Sequence, residues 1–168
     1  MAGLSSPRPI RKDDDRYDFD CGERVLNRWL RRHAWGNEVT NASRTYVVID
    51  EENGLIAGFV SLATGQIERA FLSKSQQRNQ PDPIPVLVLG QLAIDTRYQG
   101  RRLGVSLLKH AFDVAVAASQ KVGIVGVVTH PLSQEVRSFY QRWGFDSLPG
   151  DPEEALIVRI RDLLKSGF

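Results

Sequence analysis

The stretch Val86-Leu87-Val88-Leu89-Gly90-Gln91-Leu92-Ala93-Ile94 is followed, after four further residues, by Gln99-Gly100-Arg101-Arg102-Leu103-Gly104. The first segment is a nearly continuous apolar run with β-branched residues, which predicts a strand buried on both faces. The apolar side chains of residues 103–118 recur at helical spacing, and residues 124–128 return to a buried-strand pattern. These segments predict a β-α-β unit in which the hexapeptide joins the first strand to the helix.

The rest of the chain extends this unit into a mixed α/β fold. The pattern predicts a helix over about residues 20–37, a hairpin of strands at 45–49 and 55–64, a long loop at 73–85, a helix at 134–143 and a strand at 155–160. Gly144 follows the second of these helices at a position suited to a left-handed cap. We expect a single domain, residues 1–168, in which helices flank a twisted mixed sheet.

Composition excludes several classes of protein. The chain has a formal net charge of +2, one cysteine (Cys21) and 17 arginines among its 22 basic residues. One cysteine allows no intramolecular disulfide and too few ligands for a Cys-based zinc site, so we expect no metal and a reducing, cytoplasmic setting. No apolar run is long enough to span a bilayer, and the N-terminus lacks the apolar core of a signal peptide. We therefore expect no membrane association.

Basic side chains are concentrated in the first predicted helix. Four of them recur at helical spacing and are called here the arginine ridge: Arg24, Arg28, Arg31 and Arg32. Val25, Leu26, Trp29, Leu30 and His33 are placed by the same wheel on the opposite, core-facing side. The ridge is either a solvated helix face or a surface for bidentate phosphate binding. The helix pattern alone does not choose between the two.

The hexapeptide at residues 99–104 carries the clearest chemical signal. A glycine-bearing turn at the start of a helix directs unpaired backbone N–H groups outward, and the helix dipole adds partial positive charge there. A pyrophosphate fits such a turn, and Arg101 and Arg102 add charge-assisted contacts. The glycine spacing does not match a dinucleotide-binding fingerprint, and Gly-Arg at a helix start can equally be a simple turn and cap.

The hexapeptide resembles the acetyl-CoA signature of the GNAT acetyltransferases, which is Gln or Arg, two residues, Gly, one residue, then Gly or Ala. Gln99 and Gly104 match this signature, while Arg102 stands where the family usually has glycine. The resemblance implies the GNAT fold and acetyl-CoA binding by Gln99, Gly100, Arg101, Arg102, Leu103 and Gly104. It also implies a bulged strand whose backbone N–H groups at Leu92, Ala93 and Ile94 polarise the thioester carbonyl.

A second segment, Ser138-Phe139-Tyr140-Gln141-Arg142-Trp143-Gly144-Phe145, is similar to the Phe-Tyr-x-x-x-Gly-Phe segment of the same family. The resemblance implies that Tyr140 is the catalytic general acid that protonates the CoA thiolate. A phenol with a pKa of about 10 is protonated at neutral pH and can donate to a leaving thiolate. Without the surrounding motif, a half-buried packing role would be the better interpretation of this tyrosine.

Most of the chain further resembles the GNAT toxins that acetylate the α-amine of aminoacyl-tRNA. The matching segments are Phe19-Asp20-Cys21-Gly22 with Leu26 and Trp29-Leu30, then Ala42-Ser43-Arg44-Thr45-Tyr46-Val47, and Pro81-Asp82-Pro83-Ile84-Pro85 running into Val86 to Gly90. The resemblance implies a toxin of a type II toxin–antitoxin pair that blocks translation, with tRNA held by Arg24, Arg28, Arg31, Arg32 and Arg78. It also implies a homodimer and a ribbon-helix-helix antitoxin that masks the toxin, makes the DNA contact and represses the operon.

Two other functions remain open on the sequence. A GNAT enzyme acting on a small amine or a protein amine would share the fold and the cofactor. A non-catalytic CoA-binding or RNA-binding module would not require both residues 99–104 and Tyr140.

Overall fold

The computed structural model describes residues 3–168, and its elements follow the expected order. The strands are β1 (Arg8–Pro9), β2 (Arg44–Asp50), β3 (Leu55–Ile67), β4 (Ile84–Ile94), β5 (Gly126–Thr129), β6 (Asp146–Ser147) and β7 (Leu156–Arg159). The helices are α1 (Arg24–Trp29), α2 (Trp35–Val39), α3 (Lys74–Gln77), α4 (Leu103–Ser119), α5 (Gln134–Arg142) and α6 (Ile160–Ser166).

The strands form a mixed seven-stranded sheet in the order β1-β2-β3-β4-β5-β7-β6. β4 and β5 are parallel, as the predicted β-α-β unit requires, and the pairs β1–β2, β2–β3, β5–β7 and β6–β7 are antiparallel. The mixed α/β fold class is confirmed. Contacts divide the chain into two compact units, Met1–Ala63 with Gly90–Ala111 and Thr64–Leu89 with Phe112–Phe168.

The first unit is built on the β2–β3 hairpin. Its core places Val47 of β2 and Phe59 of β3 against Leu30, and all three side chains are fully buried. The Trp29 ring stacks on Phe59 with centroids 6.0 Å apart and planes 6° from parallel. This aromatic stack fixes the first helical segment on the face of the hairpin.

That helical segment is not a regular α-helix. A π-helical turn, Leu30–Ala34, lies between α1 and α2. Val25 is 68% exposed and His33 is also exposed, whereas Ala34 is buried. The expectation that Val25 and His33 face the core was wrong. His33 lies in the π turn, which holds more residues than an α turn and shifts the buried face. Val25 precedes that turn in α1, where it adjoins Arg24 at the edge of the apolar face.

The second unit is built on the start of β4, which pairs with β5, and on β7. Val86 to Leu89 are in register with Gly126 to Thr129, and β5 is buried along its whole length. α5 begins at the Ser133 side chain, which accepts from the Val136 N–H at 3.2 Å. It ends at Gly144, whose φ of 100° is the left-handed cap that was predicted.

Other differences from the sequence pattern are local. The predicted loop at residues 73–85 contains the short helix α3 and a cis Asp82–Pro83 peptide bond, and β4 begins within it at Ile84. The last predicted strand ends at Arg159, where α6 begins. Among residues 3–168, no helix has the length and apolar character to cross a membrane.

Candidate functional site

The turn between β4 and α4 combines two left-handed residues with the start of a long helix. Gly100 has φ of 82° and Arg102 has φ of 62°. The Arg102 carbonyl accepts the Ser106 N–H at 3.2 Å, so the helical bonds begin at this residue. By helix geometry, the first-turn N–H groups have no helical carbonyl partner. The predicted residues 99–104 therefore form one contiguous turn at the N-terminus of a 17-residue helix.

Arg102 adopts the conformation that glycine adopts most readily. A left-handed conformation costs a non-glycine residue about 1–2 kcal/mol, because its Cβ approaches the following carbonyl. This explains in physical terms why glycine suits the position that Arg102 occupies. Its backbone N–H and its charge are retained despite that cost.

Arg101 is held beside the same turn by an aromatic ring. Its guanidinium carbon lies 5.5 Å from the centroid of Tyr98, a cation–π contact. The Tyr98 hydroxyl donates to Asp50 at 2.6 Å, and this hydrogen bond raises the pKa of Tyr98. Arg101 is thus a positioned cation at the turn.

The buried carboxylate of Asp95 links the turn to the segment before α1 through hydrogen bonds. The Asp95 side chain has no exposed surface and accepts four hydrogen bonds, one from the Asp20 N–H and three from Arg97. Burial opposes its ionisation, but the Arg97 and backbone hydrogen bonds outweigh that effect and lower the pKa of Asp95. Arg97 also donates to Asp18 at 2.8 Å. The segment around residues 18–20 is therefore bonded directly to the turn.

Gln99 completes this attachment. Its side-chain amide donates to the Ile94 carbonyl at 2.9 Å and to the Cys21 carbonyl at 3.3 Å. The side-chain amide nitrogen of the signature glutamine therefore shapes the turn, while its backbone remains a candidate ligand. Burial raises the pKa of the Cys21 thiol, which argues against an activated nucleophile there.

β4 is irregular where the resemblance places a bulge. A Cβ on Gly90 would lie 3.3 Å from the Ser61 hydroxyl, on the face of β3 that also carries Phe59. In the amide orientation that satisfies both of its groups, Gln91 accepts from the Trp29 indole N–H at 3.2 Å, beside that same Phe59. Adjacent residues of a regular strand point to opposite faces, so the alternation is broken here.

The three residues whose backbone N–H groups the resemblance places at the thioester carbonyl follow this irregularity directly. Ala93 is buried in the core of the first unit, and Leu92 and Ile94 are half-buried. Their placement immediately after a break in strand alternation is the placement that the resemblance implies. Which of their N–H groups contacts a thioester stays a prediction.

Tyr140 lies in the second unit, near the end of α5. It is 3% exposed and packs edge-to-face on Phe145, with centroids 5.1 Å apart. Burial raises the pKa of Tyr140 to about 12, against a smaller opposite effect of a hydrogen bond with Thr129. The Thr129 hydroxyl donates to the Leu89 carbonyl at 3.0 Å, which fixes its position in β5. A phenol in this environment stays protonated throughout the physiological pH range.

All four arginines of the ridge line one cleft of about 1060 Å³ in the first unit. The segment Tyr17 to Asp20, which the sequence analysis had not assigned to a site, lines the same cleft. Arg78, the fifth candidate, lies in the second unit and lines a smaller cleft of about 280 Å³ with Arg159 and Arg161. Those last two arginines were also missed, because they are 81 or more positions away from Arg78 in the sequence.

Within residues 3–168, no cluster of three or more histidine, cysteine or acidic side chains has an arrangement that could hold a metal ion.

Comparisons with known proteins give consistent results. A sequence model described as an acetyltransferase (GNAT) domain matches residues 41–147. A tRNA-acetylating toxin of Mycobacterium tuberculosis is 37% identical over 158 residues, which cover 94% of each chain.

Two solved structures are similar over nearly the whole length. AtaT complexed with acetyl-methionyl-tRNAfMet is 33% identical, with a TM-score of 0.89 and coverage of 98% of this chain and 99% of that one. A mutant AtaT bound to the C-terminus of the antitoxin AtaR and to acetyl-CoA is 29% identical, with a TM-score of 0.83 and coverage of 98% of both chains.

Proposed function

Because this chain belongs to the GNAT acetyltransferase family, we propose that it transfers acetyl from acetyl-CoA to the α-amine of aminoacyl-tRNA, as the toxin of a type II toxin–antitoxin pair. The observation that carries this proposal is the 37% identity with a tRNA-acetylating toxin across 94% of both chains. Acetylation caps the amine that peptide-bond formation needs, so the reaction blocks translation.

Acetyl-CoA supplies an activated thioester, and residues 99–104 are proposed to hold its pyrophosphate. The fit of this turn to a pyrophosphate is supported by the backbone. Nothing lies within 4 Å of a Cβ built on Gly100, so phosphate oxygens have room to approach the turn. The N-terminus of α4 adds the positive end of its dipole, and Arg101 adds a positioned charge.

Two further groups are proposed to act on the reacting atoms. Backbone N–H groups of Leu92, Ala93 and Ile94 polarise the carbonyl, a contribution typically worth about 3 kcal/mol per donor. The amine adds to the carbonyl and forms the new carbon–nitrogen bond of a tetrahedral intermediate, and Tyr140 gives its proton to the sulfur as that intermediate collapses and the carbon–sulfur bond breaks. The proton that the attacking amine releases then returns to the phenolate through solvent, which restores the site.

The acceptor is a polyanion, and the arginine ridge is proposed to bind its phosphates. Four guanidinium groups on one cleft favour a nucleic acid over a cationic polyamine, which would be repelled by them. Arg78 is proposed to add a phosphate contact in the second unit. These assignments also distinguish the chain from a small-amine or protein-amine acetyltransferase, which would need no such cleft.

The proposal extends to partners and location. We propose a ribbon-helix-helix antitoxin as the partner, supported by the mutant AtaT that is bound to its antitoxin AtaR. The DNA contact of the pair is proposed to belong to the toxin–antitoxin complex, as in the similar solved structure of a KacTA–DNA complex. We further propose that the chain acts in the cytoplasm, that residues 1–168 work as a single catalytic domain, and that two copies pair as a homodimer.

The decisive experiment is incubation with labelled acetyl-CoA and a pool of charged tRNAs. N-acetyl-aminoacyl-tRNA should accumulate, and mass spectrometry of the released amino acids identifies the preferred aminoacyl group. Uncharged tRNA and free amino acids are the controls and should remain unlabelled. Label that appears on polyamines or proteins, with charged tRNA unmodified, would replace the proposal with the alternative acetyltransferase.

A further inference from the structure

The cleft that the arginine ridge lines combines two kinds of side chain. Its lining includes the four arginines of the ridge together with Tyr17, Asp18 and Asp20. Phosphates alone would not need the two carboxylates, because carboxylates repel them. The cleft therefore matches a ligand with a phosphate side and a polar, uncharged side.

Tyr17 is one of the large apolar side chains that this fold leaves exposed to solvent. The residue is 70% exposed, and Val25, which lines the same cleft from α1, is 68% exposed. Its backbone is nevertheless fixed, since the Tyr17 N–H donates to the Asp15 carboxylate at 2.9 Å. An exposed aromatic ring on an anchored backbone beside arginines is the usual platform for a stacked nucleobase.

The carboxylates of Asp18 and Asp20 are held in fixed positions by hydrogen bonds. One oxygen of Asp18 accepts from Arg97 at 2.8 Å. One oxygen of Asp20 accepts from the Gly22 N–H and from the Asn27 amide, both at 2.9 Å, and these bonds lower its pKa. A carboxylate has acceptor sites for more than one donor, and carboxylates accept hydrogen bonds from the exocyclic amino groups of bases.

We propose that this cleft is a nucleotide subsite in which Tyr17 stacks an unpaired base that bears an exocyclic amino group, while the arginine ridge binds the adjacent phosphates. The inference rests on the proposed function, because the unpaired 3′ end of tRNA is the occupant it names. That end consists of cytidines and adenosine, all of which carry such an amino group. Tyr17 is accordingly a positioning residue for the acceptor.

Binding of uncharged tRNA by fluorescence anisotropy tests the stacking, because no turnover occurs during the measurement. Tyr17→Ala should weaken binding of intact tRNA by about 5- to 150-fold, the range that loss of one stacked base gives. Tyr17→Phe should bind like wild type. The slope of affinity against salt should be the same for all three proteins, since no charge is removed. Leu164→Ala, an exposed apolar residue of α6, is the matched control.

Two modified RNAs locate the subsite. A tRNA trimmed of its unpaired 3′ nucleotides should bind wild type and Tyr17→Ala equally, and a tRNA ending in uridines should bind wild type more weakly than the natural end. Equal binding of intact tRNA by wild type and Tyr17→Ala would overturn the inference, as would an equal loss for intact and trimmed tRNA. Loss of antitoxin binding alone would reassign the surface to the antitoxin. The acetylation assay with wild-type protein remains the separate test of the proposed function.

Discussion

Arg97 grips the buried carboxylate of Asp95 through its backbone N–H, its Nε and one terminal nitrogen, at 2.9, 2.9 and 2.8 Å. Asp95→Asn keeps the shape but turns an amide N–H₂ toward at least one of these donors. We expect a loss of about 2 kcal/mol in the free energy of unfolding at pH 7. Urea unfolding measures it, and Asp18→Asn, the exposed partner of the same arginine, should change stability much less.

The Arg97–Asp95 contact also predicts how the stability difference between wild type and Asp95→Asn depends on pH. The folded-state pKa of Asp95 is lowered, so its carboxylate stabilises the fold above the unfolded pKa of about 4. That contribution is lost as the pH falls through the folded-state value. The difference between wild type and Asp95→Asn should therefore persist at pH 5 and shrink below pH 4. A difference that stays constant down to pH 3 would contradict this account of the carboxylate.

Arg102 is a site where glycine should stabilise the protein. Arg102→Gly relieves the left-handed strain at φ of 62° but adds backbone entropy to the unfolded state. The expected net gain is about 0.5–1 kcal/mol in thermal or urea unfolding. Arg101→Gly is the matched control, since Arg101 is not left-handed, and it should lose a similar amount. If both variants changed the free energy of unfolding in the same direction, the strain argument would be refuted.

Gly104 tests the proposed cofactor turn. Gly104→Asp places a side chain and a negative charge in the first turn of α4, and we expect it to abolish acetyl-CoA binding. Isothermal calorimetry measures the affinity. Gly123→Asp is the control, because a Cβ there meets no atom within 4 Å. A folded Gly104→Asp protein with wild-type affinity would move the pyrophosphate elsewhere.

Tyr140→Phe isolates the proton donor from the packing aromatic. The ring contacts with Phe145 survive, so the melting temperature and acetyl-CoA affinity should change little. Turnover should fall by about 10² to 10⁴, the usual effect of general acid catalysis, and toxicity in cells should disappear with it. Tyr98→Phe removes a hydroxyl of the first unit and should retain turnover far better. A wild-type rate for Tyr140→Phe would leave Tyr140 as a packing residue.

The arginine ridge should contribute a salt-dependent part of tRNA affinity. Arg28→Gln combined with Arg31→Gln should weaken binding and reduce the slope of log affinity against log salt by about 1.4 to 1.8, since two phosphate contacts are lost. Acetyl-CoA affinity should stay near wild type. Arg142→Gln with Lys165→Gln removes the same charge from exposed positions outside the cleft. If both pairs change the slope equally, the ridge is only part of the general charge.

Sequence periodicity predicted the elements whose signal is local. The β2–β3 hairpin, the parallel strands around α4 and the glycine cap at Gly144 all follow from patterns within each element or between neighbouring elements of the chain. The ion pair of Arg97 with Asp18 could not be predicted in this way, because 79 positions separate the two residues and neither residue type is unusual in its own segment. Nothing in the sequence around Tyr17 indicated that its ring would remain uncovered.

In the candidate site, too, features set by neighbouring residues were predicted and contacts between distant residues were not. Residues 99–104 were found because their spacing is a motif, but the structural use of the Gln99 amide depends on the carbonyl of Cys21, which lies 78 positions away. Arg102 was recognised as a departure from the usual glycine. Its physical reason needed a backbone angle, which no pattern of side chains reports.

The π-helical turn between α1 and α2 behaves as a single-residue insertion that the helix absorbs without breaking. It begins within the arginine ridge, after Arg24 and Arg28 and around Arg31 and Arg32. The same residues in an unbroken α-helix would keep every arginine in the sequence yet rotate those beyond the start of the turn by up to about 100° relative to Arg24 and Arg28. Whether a relative has the same arginine-lined cleft therefore depends on the direction in which its arginines project from the helix. Counting basic residues along an alignment does not give that direction.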